Sequence, residues 1–345
     1  MTLVLVTGAT GFIGATVIDK LLEAGYNVRG TARSQKIDKL RAAYKSYGDK
    51  FEAVVVDDIA LSDWTDALRG VRALIHIASP LGNGDAPEYV LRSAVEGTRK
   101  VLEAAGAAGV QKVVFTGSIS ATYDSSKTVW RDLLVSEASW NPLKREDALK
   151  PDATLIEYYS VSKKLAEEEV WKFAKEHPEV DVTAILPTYV YGPLSPHHVD
   201  RATAFVKTTN SLILLMFNEK RPFSELAQML DFIVPGFIHI EDVATAHVRA
   251  LAMPRSRTPK RVIANGGHMD LKDAIEHLAK VRPQLRDTLP DVSTVARRDP
   301  HLRFDGSTMQ TVLGMQDLKS WQETLEDAVD DILSLQEQAS REAQA

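Results

Sequence analysis

A glycine-rich segment near the start of the chain, VTGATGFIG at residues 6–14, restricts the possible folds more than any other feature. It follows an apolar run, TLVLVTG, that predicts a β-strand, and it opens a predicted helix over about 12–24. Gly8, Gly11 and Gly14 allow a tight strand-to-helix turn and let a pyrophosphate approach the backbone closely. Unpaired N–H groups at the start of the helix would then face the phosphates. The segment therefore predicts a dinucleotide-binding βαβ unit.

Strand-like and helix-like segments alternate after this turn. Val- and Ile-rich runs at 72–79, 112–118 and 181–193 predict further strands, whereas a polar segment near 35–47 and a longer one near 87–108 predict helices. Such alternation is typical of a parallel sheet that is covered by helices on both faces. Ligands of such sheets bind at the carboxyl ends of the strands. We therefore expect an α/β fold with a doubly wound, Rossmann-type parallel sheet.

The alternation becomes less regular after residue 193, which divides the predicted fold into two parts. Residues 1–193 and about 236–267 are expected to form the Rossmann domain that binds the dinucleotide, with 236–267 returning to the main sheet. About 194–235 and 268–345 are expected to form a smaller, discontinuous substrate-binding lobe. A C-terminal helix with one apolar stripe belongs to this second part.

Composition excludes several classes of protein. The 345 residues include no cysteine, which removes disulfides, thiolate metal sites and cysteine nucleophiles. The formal net charge is −6 with a pI near 5.9, and no basic face for nucleic acid is evident. The longest apolar run beyond the first strand, at 212–217, is far shorter than the ~20 residues that a membrane span requires. We expect a cytoplasmic protein that binds neither nucleic acid nor a membrane.

The end of the second predicted strand indicates which dinucleotide binds. NAD sites place an acidic residue there for the ribose 2′-hydroxyl, whereas an arginine accommodates the 2′-phosphate of NADP. Residues 25–37 contain no acidic residue and include Arg33 and Lys36. The sequence therefore favours NADP(H). After the third strand, Asp58 is placed to accept a hydrogen bond from the adenine amino group, with its neighbour Asp57 as the alternative.

The segment EYYSVSKKLAEEE at 157–169 carries two tyrosines and two lysines at the start of a predicted helix. Side chains on one face of a helix are three or four residues apart. Tyr159 and Lys163 meet this condition, whereas Tyr158 and Lys163 point about 140° apart. Lys164 has no tyrosine four residues before it. Tyr159 and Lys163 are therefore the only tyrosine–lysine pair on one face of this helix.

Several segments together resemble the extended branch of the short-chain dehydrogenase/reductase family. They are VTGATGFIG, RGTARS, HIASPL, VVFTGSIS, SWNP, YSVSKKLAEEEVWKF and PTYVYGP. Within that branch they are similar to dihydroflavonol reductases, cinnamoyl-CoA reductases, and fungal methylglyoxal and carbonyl reductases. The resemblance spans nearly the whole chain and is weaker across 194–235, in the predicted substrate lobe. It implies a Rossmann fold and an NADPH-dependent oxidoreductase.

The resemblance also implies a catalytic triad of Ser118, Tyr159 and Lys163. The phenol would donate a proton to the substrate oxygen, and the ammonium would lower the pKa of the phenol and hold the nicotinamide ribose. The serine would donate a hydrogen bond to the carbonyl oxygen. Ser120 competes with Ser118 for this last role. The chain departs from many relatives in one respect, because Gly117 precedes Ser118 where they have two serines.

The remaining contacts implied by the resemblance fall into two groups. The cofactor-binding residues, besides Tyr159 and Lys163, would be Gly8, Thr10, Gly11, Phe12, Ile13, Gly14, Arg33, Lys36, Asp58, Ile59, Ala78, Ser79, Pro80, Pro187, Thr188 and Val190. The substrate pocket would be lined by Leu81, Ile119, Tyr123, Tyr191 and the apolar run 212–217. These side chains suggest an apolar carbonyl substrate with little charge.

We therefore expect NADPH-dependent reduction of an aldehyde or ketone to the alcohol, by a monomer or homodimer without a metal. A nucleotide-sugar epimerase or dehydratase and a hydroxysteroid-type dehydrogenase are alternatives on the same scaffold, although these usually have an acid where Arg33 lies. A redox-sensing protein that binds NADP without catalysis would typically lack the tyrosine or the lysine. His76 is expected to be a hydrogen-bonded strand residue, and His197 and His198 to lie in a loop.

Overall fold

A computed structural model describes residues 2–79, 86–231, 233–296 and 301–344. The strands in these residues are β1 Leu3–Thr7, β2 Asn27–Ala32, β3 Phe51–Val55, β4 Ala73–His76, β5 Lys112–Thr116, β6 Leu133–Val135, β7 Asp181–Pro187, β8 Tyr189–Tyr191, β9 Gly236–His239, β10 Lys260–Ala264, β11 Gly267–His268 and β12 Leu302–Phe304. The α-helices are α1 Phe12–Glu23, α2 Ile37–Ala43, α3 Thr65–Leu68, α4 Pro87–Ala107, α5 Arg145–Ala148, α6 Leu155–Glu176, α7 Arg201–Ala204, α8 Asn210–Leu214, α9 Phe223–Met229, α10 Ile240–Ala252, α11 Leu271–Val281, α12 Ser307–Thr311 and α13 Trp321–Gln344.

Seven of the strands form one parallel sheet in the order β3-β2-β1-β4-β5-β7-β10. Every residue of β5 and β7 is buried, as expected for central strands that are covered on both faces. The predicted α/β fold with a doubly wound parallel sheet is confirmed. Because all seven strands run the same way, their carboxyl ends lie at one edge of the sheet. The glycine turn after β1 and Ser118 after β5 are both at this edge.

Two hydrophobic cores hold the helices against the sheet. On one face, Leu21 of α1, Leu40 of α2 and Ala246 of α10 belong to a single buried cluster. On the other face, Leu102 of α4 and Val170 of α6 belong to a second cluster. Burial of each large aliphatic side chain contributes about 1.5–3 kcal/mol to folding. The first core therefore fixes α1 at the glycine turn, and the second fixes the helix that carries Tyr159 and Lys163.

The segment 181–193 was predicted to be one strand but forms two. β7 belongs to the main sheet, whereas β8 pairs with β9 in a second sheet of order β11-β9-β8. The chain changes sheets at Thr188, whose N–H donates to the Ala264 carbonyl at 3.0 Å. The segment 236–267 was expected to return to the main sheet. Of its strands, only β10 does so. β9 lies in the second sheet, and β12 and β6 form a two-stranded parallel sheet.

The predicted helix near 35–47 is also divided. Ser34–Lys36 is a 3-10 turn, α2 follows it, and Lys45–Lys50 forms a second 3-10 segment. Tyr44 lies at the junction, is buried, and stacks on Phe51 with ring centroids 4.4 Å apart. Burial of this ring therefore accompanies the end of the regular helix.

A third hydrophobic cluster lies beyond the main sheet. It contains Ile213 of α8, Leu226 of α9, Ile275 of α11, and Leu325 and Val329 on the apolar stripe of α13. The division of the chain into a cofactor domain and a substrate lobe stays a prediction. Among the described helices, none is both long enough and apolar enough to span a bilayer.

Candidate active site

The glycine turn leaves space at the start of α1. Gly8 has a φ of +73°, which favours glycine, and a Cβ on Gly14 would lie 2.0 Å from the Gly8 carbonyl oxygen. Gly11 precedes α1, whose first turn has no side-chain cap and no acidic residue. The N–H groups of this helix end are therefore available to an anion. The turn fits the diphosphate of a dinucleotide.

A hydrogen-bonded histidine joins β1 to β4 beside this turn. Thr7 Oγ1 accepts hydrogen bonds from the N–H groups of Ile77 at 3.0 Å and Ala78 at 3.1 Å, and lies 2.7 Å from His76 Nδ1. Because both lone pairs of the threonine oxygen are used, its proton must point to Nδ1. His76 Nε2 then donates to Thr98 Oγ1 at 3.2 Å. Burial lowers the pKa of His76 to about 3, so the ring stays neutral. The expectation of a hydrogen-bonded strand histidine is confirmed.

The other predicted cofactor residues lie in loops, at the start of α1 and in β7 and β8, at the same edge of the sheet. They are Thr10, Phe12 and Ile13 at the start of α1, Asp58 and Ile59 after β3, Ala78 and Ser79 after β4, and Pro187, Thr188 and Val190 at the junction of β7 and β8. Pro80 and Leu81 lie outside the described residues. The roles of these residues stay predictions.

The two aspartates that follow β3 have different partners. Asp58 Oδ1 accepts hydrogen bonds from the N–H groups of Ala60 at 2.8 Å and Leu61 at 3.2 Å, and therefore caps its own turn. Asp57 Oδ1 accepts from the Ser34 N–H at 2.7 Å, directly after β2. Hydrogen bonds from Ser34 lower the pKa of Asp57, and the charge on Arg33 lowers it further. A negative charge thus lies beside Arg33 even though residues 25–37 contain no acid.

The two basic residues after β2 also differ. Arg33 is exposed, whereas Lys36 forms an ion pair with Asp200 at 2.8 Å. Lys39 of α2 contacts the other oxygen of the same carboxylate, also at 2.8 Å. The two lysines lower the pKa of Asp200 to about 2. Lys36 is therefore held against the loop that precedes α7, a contact that the sequence did not predict.

Ser118 lies at the end of β5 and caps a 3-10 turn, Ile119–Ala121. Its side-chain oxygen accepts from the Ser120 N–H at 3.2 Å and lies 2.8 Å from the Ser120 hydroxyl. Asn141 supports this turn, because its side-chain amide donates to the Ser120 carbonyl at 3.1 Å and its N–H donates to the Ala121 carbonyl at 2.8 Å. Both Ser118 and Ser120 are buried.

A capping box fixes the start of α6. Thr154 accepts from the Glu157 N–H, and the Glu157 carboxylate accepts from the Thr154 N–H at 2.7 Å. Tyr159 and Lys163 follow on one face of the helix, with Lys163 Nζ 6.0 Å from the centroid of the tyrosine ring. The Ser118 side chain lies close enough to the Tyr159 hydroxyl to favour the ionised phenol and so to oppose the effect of burial on its pKa. The structure therefore brings the three predicted catalytic side chains together.

The electrostatics of this group differ from the expectation. Burial raises the pKa of Tyr159, and the Ser118 side chain opposes this increase without cancelling it. Burial lowers the pKa of Lys163 from 10.5 to about 8. Because the lysine loses its proton first, it carries no charge when the phenol ionises. The pKa of Tyr159 thus shifts in the direction opposite to the expectation, and a contribution of Lys163 to it stays a prediction.

Two of the predicted pocket residues lie near Tyr159, together with one that was missed. Ile119 and Tyr123 belong to one apolar cluster, against which Tyr189 packs. Burial raises the pKa values of Tyr123 and Tyr189, and the nearby Tyr159 raises both further. The alternation in TYVYG could have identified Tyr189, because it shares a strand face with Tyr191. The phenols of Tyr123 and Tyr189 therefore lie near the Tyr159 phenol.

The other predicted pocket side chains lie in the third cluster. Tyr191 and the run 212–217 pack there, with Ile213, Met216 and Phe217 buried. His197 Nδ1 contacts Asp19 at 2.8 Å, so the loop histidine has a carboxylate partner on α1. No group of three or more potential metal ligands occurs within the described ranges.

Comparisons with known proteins agree with this architecture. Residues 4–266 match the model of the NAD dependent epimerase/dehydratase family. NADPH-dependent methylglyoxal reductase GRE2 of Saccharomyces cerevisiae is 30% identical over 96% of this chain and 98% of its own. Aldehyde reductase 2 of Sporidiobolus salmonicolor is also 30% identical, over 82% of each chain.

The similarity extends to three dimensions. The crystal structure of yeast methylglyoxal/isovaleraldehyde reductase Gre2 complexed with NADPH superimposes with a TM-score of 0.80 at 26% identity. The superposition covers 97% of this chain and 99% of that chain. The resemblance to the extended short-chain dehydrogenase/reductases is thereby confirmed. The chain belongs to the NAD-dependent epimerase/dehydratase family.

Proposed function

We propose that this protein uses NADPH to reduce an aldehyde or a ketone to the alcohol, with Tyr159 as the proton donor. The observation that carries the proposal is the grouping of the Tyr159 phenol with the Ser118 side chain and with Lys163 on the same helix face. This group lies at the edge of the sheet where the glycine turn opens. Similarity to a methylglyoxal reductase and an aldehyde reductase supports the same reaction class.

Each residue of the group has a distinct task. Ser118 donates a hydrogen bond to the carbonyl oxygen and so stabilises the negative charge that develops there. Tyr159 gives its proton to that oxygen, and the Lys163 ammonium orients the nicotinamide ribose. Bound NADPH supplies the hydride. Burial of Ser118 and Lys163 excludes water and strengthens these interactions.

The residues that follow β2 are proposed to select NADPH over NADH. Arg33 is exposed there and would contact the 2′-phosphate through its guanidinium group. Lys36 would also contact the 2′-phosphate. It would do so either after its ion pair with Asp200 breaks or while it contacts the carboxylate and the phosphate together. The glycine turn and the start of α1 would hold the diphosphate.

The substrate is proposed to be a small carbonyl compound with an apolar substituent. Ile119, Tyr123 and Tyr189 support this class, because together they provide apolar surface and phenol groups near Tyr159. A monomeric or homodimeric state and a cytoplasmic location stay predictions.

The proposal is tested by NADPH oxidation with a panel of aryl ketones, diketones and aldehydes, with identification of the alcohol product. Parallel reactions with NADH and with a UDP-hexose test the alternative activities of this scaffold. We expect carbonyl-dependent oxidation of NADPH and no conversion of the nucleotide sugar. Epimerisation or dehydration of the sugar without carbonyl reduction would overturn the proposal.

A further inference from the structure

The side-chain oxygen of Ser118 has two polar neighbours, Ser120 and Tyr159. A serine hydroxyl offers one proton and two lone pairs. The Ser120 N–H at 3.2 Å can only donate and takes one lone pair. The Ser120 hydroxyl lies 2.8 Å away, and the Tyr159 hydroxyl is the other polar group near enough to Ser118 to receive its proton. Ser118 can therefore give its proton to only one of these two hydroxyls.

The direction of these two hydrogen bonds decides what Ser118 can do. If Ser118 donated to Ser120, no proton would remain for Tyr159 or for a substrate oxygen. If Ser120 donates to Ser118, both lone pairs of Ser118 are occupied and its proton must point toward Tyr159 and the cleft. Only the second arrangement lets Ser118 act as a donor in the proposed reaction.

Ser120 is well placed to maintain this arrangement. Its side chain is buried, and its hydroxyl forms no hydrogen bond to a described residue other than Ser118. Asn141 holds the Ser120 backbone through its carbonyl. The Ser120 hydroxyl is thus fixed beside Ser118 and has no competing acceptor in the described part of the chain.

We propose that Ser120 is a positioning residue, whose hydroxyl donates to Ser118 and thereby directs the Ser118 proton to Tyr159 and the substrate oxygen. This inference rests on the proposed function for its role in turnover. When Tyr159 has given up its proton, Ser118 donates to the phenolate while Ser120 donates to Ser118. The three hydroxyls form a chain in which each bond polarises the next. No covalent step passes through Ser120.

Three variants separate this role from a structural one. Ser120→Ala removes the hydroxyl, and Ser120→Thr keeps it. Thr122→Val is the matched control, because Thr122 is equally buried in the same turn and its hydroxyl donates only to the Ile119 carbonyl at 2.5 Å. Two quantities are measured: steady-state kcat and KM for carbonyl reduction, and the ionisation of Tyr159. To measure this ionisation, each protein is titrated to alkaline pH while the tyrosinate absorbance is recorded. The curve of the same protein with Tyr159→Phe added is then subtracted, which leaves the signal of Tyr159.

We expect Ser120→Ala to lower kcat about three- to tenfold with KM unchanged, as for the loss of one net hydrogen bond. The Tyr159 ionisation curve should move upward by about half to one pH unit, because the phenolate loses part of its stabilisation. Ser120→Thr and Thr122→Val should resemble the wild type in both measurements.

Superimposable ionisation curves for wild type and Ser120→Ala, whatever their midpoint, would overturn the inference. An equal fall in kcat for Thr122→Val would also overturn it, because the effect would then belong to the turn. If the wild type reduced no carbonyl on the panel, the proposed function would fail. The ionisation curves would still decide whether Ser120 acts through Ser118 on Tyr159.

Discussion

The two ends of the proposed cofactor site are built differently. At the catalytic end, Ser118 and Lys163 are buried, and Ser118 accepts two hydrogen bonds from Ser120. At the adenosine end, Arg33 is exposed and Lys36 takes part in an ion pair that solvent can reach. Buried polar groups are costly to leave unpaired, whereas exposed ion pairs contribute about 0–1 kcal/mol and are screened by salt. Substitution of the proposed catalytic residues should therefore have larger effects than substitution at the adenosine end.

Among substitutions that leave Tyr159 in place, the largest effect is expected for Lys163→Met at the catalytic end. Loss of the ammonium removes the group that is proposed to orient the nicotinamide ribose, and kcat should fall by about 10²–10³-fold, as for loss of one preorganised donor. Lys164→Met is the matched control, because Lys164 donates to the Leu143 carbonyl and should tolerate the change. A similar loss of kcat in both variants would remove the distinction between the two lysines.

Arg33→Gln tests the most important contact assigned to the adenosine end. We expect NADPH affinity to fall by about 10–100-fold while NADH affinity is unchanged, because a charge-assisted hydrogen bond to the 2′-phosphate is lost. Arg41→Gln removes the same charge from α2, where Arg41 pairs with Asp38, and serves as the control. Cofactor fluorescence titrations provide both affinities. Equal losses for NADPH and NADH would contradict the assignment to the 2′-phosphate.

The pH dependence of turnover should report the buried lysine. Burial lowers the pKa of Lys163 to about 8, so kcat of the wild type should fall as pH rises through that value. The fall should approach roughly tenfold per pH unit, because the ammonium fraction decreases by that factor. The free energy of unfolding should change in the opposite direction. Lys163 has a pKa of about 8 in the folded protein and 10.5 in the unfolded chain, so burial of the charged lysine destabilises the fold below pH 8. This destabilisation decreases as pH rises from 8 toward 10.5. Turnover that stays constant across this range would show that the lysine charge is not required.

The smallest effect is expected for Asp200→Asn. Removal of this carboxylate frees Lys36 and Lys39, so NADPH should bind up to about fivefold more tightly at low salt, with the gain disappearing at high salt. Asp38→Asn removes an exposed carboxylate from the same region and controls for net charge. Weaker NADPH binding in Asp200→Asn would show that the aspartate holds Lys36 in its binding position rather than competing with the 2′-phosphate.

The sequence predicted those parts of the site whose structure depends on residues that are close together in the chain. Helix geometry paired Tyr159 with Lys163, and the alternation of strands and helices predicted the sheet on which they lie. The turn at Gly8 followed from spacing alone. In each case the deciding physics acts within one element or between neighbouring elements.

Properties that depend on distant contacts were missed. Lys36 and Asp200 meet across 164 residues of sequence, so no local pattern could pair them. The raised pKa of Tyr159 depends on how deeply the assembled fold buries it, which helix spacing does not determine. The change of sheet at Thr188 requires β9 and β10 as partners for the two strands.

The central claim is that Tyr159 donates the proton, and the most direct test is Tyr159→Phe under single-turnover conditions. The rate of NADPH oxidation by the best carbonyl substrate and the equilibrium affinity for NADPH are measured on the same preparation. The account predicts that the affinity is unchanged while the oxidation rate falls by about 10²–10⁴-fold, the contribution typical of a positioned general acid. A variant that oxidises NADPH at the wild-type rate would contradict it.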